Sequence, residues 1–178
     1  MTAPPRARLG VSACLLGERV RYDGGHKRDA FVVDVLGPEV DWVAVCPEVE
    51  IGLGVPRPTL RLEGSPGAPR LVQETSGQDL TARMREHAER RVRDLERLDL
   101  DGYVLKRGSP SCGLLGVPVH GADGAPAGDG RGIFAAVLVA RLPALPVEEE
   151  GRLGDPQLRE HFLERVFARA RLRYSLRP

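Results

Sequence analysis

Three short apolar runs in this chain each lead to a cysteine, and no other feature restricts the fold as much. Arg8-Leu9-Gly10-Val11-Ser12-Ala13 runs into Cys14, and Asp41-Trp42-Val43-Ala44-Val45 into Cys46. Gly102-Tyr103-Val104-Leu105 opens into the loop that carries Cys112. Runs of this length and composition read as buried strands. In an open parallel sheet, the carboxyl ends of the strands share one edge, where ligands bind. The three sulfurs are expected to meet there, although the gaps between them rule out a local C-x-x-C chelate.

Helical patterns separate these strands. Residues 29–36 suit a short helix capped by Asp29. Residues 79–98 carry the strongest pattern, with Leu80, Met84, Ala88, Val92 and Leu95 at helical spacing and Arg and Glu on the solvated face. Residues 133–142 are an apolar helix. Asp155-Pro156 opens a last helix, with Asp as cap and Pro at the first helical position; its inward stripe is Leu158, Phe162, Val166 and Ala170, supported by Leu163 and Phe167. Between residues 52 and 72, alternating runs around Gly64-Ser65-Pro66-Gly67 predict a hairpin. Residues 121–132 read as a mobile, glycine-rich connection. The alternation of strand and helix predicts an α/β fold: an open, mainly parallel sheet with helices on both faces, a Rossmann-like three-layer arrangement. One domain is expected over residues 1–178, with residues 1–7 a flexible N-terminus.

The chain has 178 residues, 42% hydrophobic and 29% charged, with a net charge of +1. No basic field points to a nucleic-acid partner. No apolar run approaches a membrane span, and the first residues lack the apolar core of a secretory signal. A cytoplasmic location is expected, and there an odd number of cysteines argues against a disulfide framework. Oligomeric state is not legible.

Taken singly, each cysteine suits a small buried hydrophobe. Their company points elsewhere. Cys14 precedes a polar loop with Arg19, Arg21, Tyr22, Asp23 and His26; Cys46 is followed by Pro47 and Glu48. Cys112 sits in Ser109-Pro110-Ser111-Cys112-Gly113, whose hydroxyls and amides could donate to sulfur. Three soft thiolates suit zinc or an iron–sulfur cluster. Zinc in a structural site needs a fourth ligand, for which His26 or His120 is available; a cluster on three cysteines leaves one iron open. Glu48, two residues from Cys46, is the candidate general acid or base. Glu50 is the weaker candidate. Asp23 and Lys106 could orient a substrate, although Asp23 also suits a turn. The run from Gly128 to Gly132 before an apolar helix suggests an anion seat. His87 and His161 read as surface residues.

The blocks Val11-Ser12-Ala13-Cys14-Leu15-Leu16-Gly17, Val20-Arg21-Tyr22-Asp23-Gly24, Cys46-Pro47-Glu48 through Pro56-Arg57, Leu105-Lys106, Ser109-Pro110-Ser111-Cys112-Gly113 and Pro146-Val147-Glu148-Glu149-Glu150 stand in one order. In them the chain resembles the 2-thiouracil desulfurase family. The resemblance implies a [4Fe–4S] enzyme that takes sulfur from a thiolated pyrimidine base and releases sulfide. It implies Cys14, Cys46 and Cys112 as the cluster ligands, with one open iron to bind the substrate sulfur. Such a cluster is expected to be labile to oxygen, and the sequence does not say whether an aerobic preparation keeps it. Glu48 and Ser111 are then the expected catalytic residues; Asp23, Lys106 and Ser109 are the expected substrate contacts. Some members carry an extra C-terminal domain; this chain ends at Pro178, so partners that depend on that domain are not expected. A sulfur-relay protein and a non-catalytic metal module are the alternatives.

Overall fold

The computed structural model describes residues 6–176. Strand β1 (Ala7–Ser12) ends in a short 3-10 turn over Ala13–Leu16. A single turn of π-helix (Phe31–Leu36) precedes β2 (Val40–Val45). The cap expected at Asp29 is present, since its Oδ1 accepts the Val32 amide at 2.9 Å, but the helix behind it is the wider π form. A four-residue helix, α1 (Pro47–Glu50), follows Cys46. The predicted hairpin is β3 (Leu60–Ser65) and β4 (Ala68–Gln73), followed by the long helix α2 (Thr81–Arg97). Then come β5 (Gly102–Leu105), β6 (Val117–His120), β7 (Pro126–Gly130), α3 (Ile133–Arg141), β8 (Val147–Glu149) and α4 (Pro156–Ser175).

Four strands form the parallel sheet, in the order β2-β1-β5-β8. Side chains alternate between its faces, as the pleat requires. Tyr103 and Leu105 of β5 meet Met84, Ala88, Val92 and Leu95 of α2 and Phe134 of α3. Leu9 and Val11 of β1 and Val104 of β5 turn the other way, onto Phe162 and Val166 of α4 and Val32 and Leu36 of the π-helix. Each α2 core residue is fully buried. A Met or Leu so placed contributes about 1.5–3 kcal/mol relative to exposure. Gly10 is glycine for a steric reason: a Cβ there would lie 2.2 Å from the Tyr103 ring.

Two expectations need correction. The stretch expected to connect β6 to α3 as a mobile loop is ordered. Its second half forms β7, which pairs antiparallel with β6 and completes a separate mixed sheet of order β4-β3-β6-β7. The turn between them closes through Gly121 N–H to Ala125 O at 2.7 Å and Gly124 N–H to Gly121 O at 2.9 Å. The N-terminal stretch expected to be flexible enters the sheet at Ala7, which is 2% exposed. Met1–Pro5 lie outside the described residues. Among the described residues, no helix is long and apolar enough to cross a membrane.

At the amino edge of the parallel sheet, α4 is fastened by an ion pair. Asp101 is fully buried and takes Arg173 Nε at 2.9 Å and Nη2 at 2.6 Å, together with the Arg8 amide at 2.8 Å. Removing the guanidinium strands a carboxylate that water cannot reach. Arg173→Met is therefore expected to destabilise the fold by about 3–5 kcal/mol, read as a lower urea midpoint at unchanged slope. A change under about 1 kcal/mol would place the pair in the weak class of exposed bridges.

Candidate active site

A cavity of about 390 Å³ opens at the carboxyl edge of β1, β2 and β5, and Cys14, Cys46 and Cys112 all line it. Cys14 lies in the 3-10 turn after β1, where its carbonyl accepts the Lys27 amide at 2.9 Å. That bond draws the 17–28 loop over the cavity. Cys46 stands between β2 and α1, and the amides of Val49 and Glu48 favour its thiolate. Cys112 is carried by the loop after β5.

Burial raises the pKa of all three thiols: Cys14 to about 11, Cys46 upward, and Cys112 well above its ordinary value. The sulfurs also oppose each other's ionisation, Cys46 acting on Cys14, and both on Cys112. Lys106 and Arg21 favour the Cys14 thiolate, Arg57 that of Cys46, and Ser12 that of Cys112. Three thiols, two buried and one partly so, that repel as anions require a cationic centre among them before all three can ionise. The set is all sulfur, which suits iron–sulfur or zinc over harder ions. Among the described residues, no three His, Cys, Asp or Glu side chains close on one point as a single-ion site demands. Neither histidine offered as a fourth ligand lines the cavity. His26 Nδ1 accepts the Arg28 amide at 3.1 Å, and His120 lies on β6 with Nδ1 3.2 Å from Gly124 O.

Glu48 enters the cavity from the first turn of α1 and is held at both oxygens. Arg57 Nε and Nη2 each donate to Oε2 at 2.8 Å, and the Ser111 hydroxyl donates to Oε1 at 2.9 Å. Arg57 is 9% exposed and also donates to Gly54 O at 2.9 Å. A carboxylate so fixed cannot swing away, and it remains an acceptor for further donors. Arg57 is a site residue that the reading of the sequence missed. A lone arginine between Pro56 and Pro58, within the same block as Cys46 and Glu48, was the available signal.

The remaining expected residues divide. Lys106 lines the cavity with its ammonium held by Glu150 and by Arg107 O at 2.9 Å. Ser109 also lines it, but its Oγ accepts the Ser111 amide at 3.2 Å and the Cys112 amide at 3.0 Å. It therefore builds the cysteine loop as well as facing the cavity. Ser111, expected to be catalytic, is fully buried off the cavity wall and reaches it only through Glu48. Asp23, expected at the substrate, does not line the cavity either; it is exposed and closes a turn by accepting the Gly25 amide at 2.9 Å, which lowers its pKa. Glu50 faces α2, 2.8 Å from His87 Nε2 and 3.4 Å from Arg91 Nε. The wall instead includes Arg21, Tyr22, Lys27 and Arg107.

The anion seat expected before α3 is occupied by the protein itself. Gly132 N–H donates to Gly113 O at 2.8 Å, Ile133 N–H to Pro110 O at 3.1 Å and Ala135 N–H to Ser111 O at 3.2 Å. The first turn of α3 thus spends its free amides on the Cys112 loop. Only glycine permits this approach at 132, because a Cβ there would lie 2.5 Å from the Ser111 carbonyl.

The family model of 2-thiouracil desulfurase matches residues 9–150, from β1 to just past β8. The solved structure of the [4Fe–4S]-dependent thiouracil desulfidase TudS superposes with a TM-score of 0.68 at 36% identity, covering 88% of this chain and 97% of that one. The uncharacterized protein YbbK of Bacillus subtilis (strain 168) is 30% identical over 133 residues, 72% of this chain and 87% of the relative. With the family model spanning every element that contributes to the cavity, the chain belongs to the 2-thiouracil desulfurase family.

Proposed function

We propose that the chain is a [4Fe–4S]-dependent desulfurase that converts a thiolated pyrimidine base and water into the oxo base and hydrogen sulfide. One observation carries the reading: all three cysteines of the chain line one cavity together with a carboxylate fixed at both oxygens. Cys14, Cys46 and Cys112 would hold the cluster. When bound, the cluster supplies an iron free of protein ligands, a Lewis acid for a thiocarbonyl sulfur.

The protein's own groups do the rest. Glu48 accepts a proton from the attacking water and later returns one to the departing group, the two-way role open to a carboxylate. Arg57 holds one of its oxygens and Ser111 the other, so its orientation is fixed. Lys106 and the Ser109 hydroxyl face the base, where they orient its ring oxygen or nitrogen. Cavities of this size take small organic ligands, which suits a free base. Three unpaired thiols suit the reducing cytoplasm.

The test is anaerobic reconstitution with iron and sulfide, followed by measurement of sulfide and uracil released from 2-thiouracil with no partner protein present. Equal yields of the two products, over many turnovers, are expected. A loaded cluster with no turnover on 2- or 4-thiolated pyrimidines would leave the relay reading. Tight zinc binding with no cluster assembly would leave the metal module.

A further inference from the structure

The loop from Ser109 to Leu115 has every amide between Ser111 and Leu115 accounted for. Ser111 and Cys112 donate to Ser109 Oγ, and Gly113 donates to Ser109 O at 2.8 Å. Leu114 and Leu115 donate to one atom, Glu149 Oε1, at 2.7 and 3.1 Å. The loop is thus held from within by Ser109 and from without at its carbonyls by the first turn of α3 and by Arg131, whose Nε donates to Leu114 O at 2.9 Å, and at its amides by Glu149. None of these amides is left over for the Cys112 sulfur, contrary to the expectation from the sequence.

Glu149 is an unusual residue to find here. It ends β8 opposite Leu105, and it shares that side chain's face of the sheet, toward the core that holds Tyr103, Cys112 and Phe134. It is 2% exposed. Its sequence neighbours take cations: Glu148 pairs with Arg152, and Glu150 with Lys106. Glu149 takes two backbone amides instead. A buried carboxylate is costly unless hydrogen-bonded, and bonds from amides to a charged acceptor are about twice as strong as neutral ones. The bond at Leu114 begins two residues beyond Cys112, past the last residue that Ser109 and α3 hold, and there Glu149 takes both amides while Arg131 takes the Leu114 carbonyl.

We propose that Glu149 is the positioning residue for Cys112, anchoring the downstream half of its loop so that the sulfur is presented to the cavity in one orientation. Its functional consequence rests on Cys112 being a cluster ligand; the anchoring itself does not.

The first readout is therefore taken on the apoprotein. Alkylation of each cysteine by iodoacetamide is followed by mass spectrometry in native protein, Glu149→Ala and Glu149→Gln. In Glu149→Ala, Cys112 is expected to react about tenfold faster, the rise in the locally open population when charge-assisted hydrogen bonds are lost, while Cys14 and Cys46 keep their native rates. Glu149→Gln, which retains a carbonyl acceptor, restores most of the protection. In reconstituted protein, Glu149→Ala loses iron to a chelator about 10–100-fold faster. An unchanged Cys112 rate overturns the proposal. So does a common rise at all three cysteines with loss of cooperative unfolding, which marks general support of the fold. If Cys112→Ala keeps a full cluster, the ligand assignment fails, and the alkylation result still decides the anchoring.

Discussion

Cys112→Ala, reconstituted anaerobically, binds less iron than the native protein and releases sulfide from 2-thiouracil at the background rate. Cys14→Ala and Cys46→Ala are expected to behave alike, because the chain has no fourth cysteine to replace any of the three. The effect is expected to be all-or-none. Among the described residues, no histidine lines the cavity, and the one carboxylate on its wall that could bind iron beside the cysteines, Glu48, is already held by Arg57 and Ser111. Loss of the fold is not the cause, because each apo thiol is small, Cys14 and Cys112 buried and Cys46 partly so, and burial raises the pKa of all three. Exchanging one for alanine removes little packing and also removes a group whose ionisation burial opposes. The apoproteins should therefore unfold within about 1 kcal/mol of native, the ordinary scale of single substitutions. A variant that keeps its iron and its turnover would remove that cysteine from the ligand set. A variant that unfolds would return the cysteine to a packing role.

How legible all this is in the sequence depends on where each residue takes its instructions. β1, β2 and β5 announce themselves because buried parallel strands are apolar throughout. α2 and α4 do so because a stripe and a cap are local patterns; Asp155 indeed accepts the Gln157 and Leu158 amides at 2.8 and 3.2 Å. β7 is different. Pro126-Ala127-Gly128-Asp129-Gly130 holds no strand former, and it is a strand only because β6 lies beside it. β8 is three residues long, two of them glutamates, so it reads as an acidic tail. The same division runs through the site. Cys14, Cys46 and Glu48 are read from their position just past strand ends, and Cys112 from the Ser-Pro-Ser-Cys-Gly loop that follows β5. Arg57 and Glu149 act on partners 9 and 35 residues away, through bonds that spacing does not reveal. Asp23 is the converse case: its Tyr-Asp-Gly-Gly setting is equally a turn signal, and the turn is what forms.

Glu48→Gln tests the chemistry apart from the cluster. Glutamine has the shape of glutamate, and the site can receive it. Its carbonyl oxygen can face the two Arg57 donors, and its amide can face Ser111, whose hydroxyl is free to turn and accept. Geometry and iron content should therefore survive, while the proton acceptor is gone. Turnover is expected to fall by about 10²–10⁴-fold, the span of general acid–base catalysis, with a much smaller change in KM. The charge of Arg57, whose side chain is 4% exposed, is left without its anion. The variant should accordingly also be less stable, by up to about 3–5 kcal/mol. Ser111→Ala separates the two effects. It leaves Glu48 its charge and its pairing with Arg57, and removes only the bond at Oε1. If the carboxylate works as acid and base, Ser111→Ala should lose far less turnover than Glu48→Gln. Full turnover in Glu48→Gln, together with the loss of stability, would make the carboxylate a structural anchor for Arg57 and leave water activation to another group in the cavity.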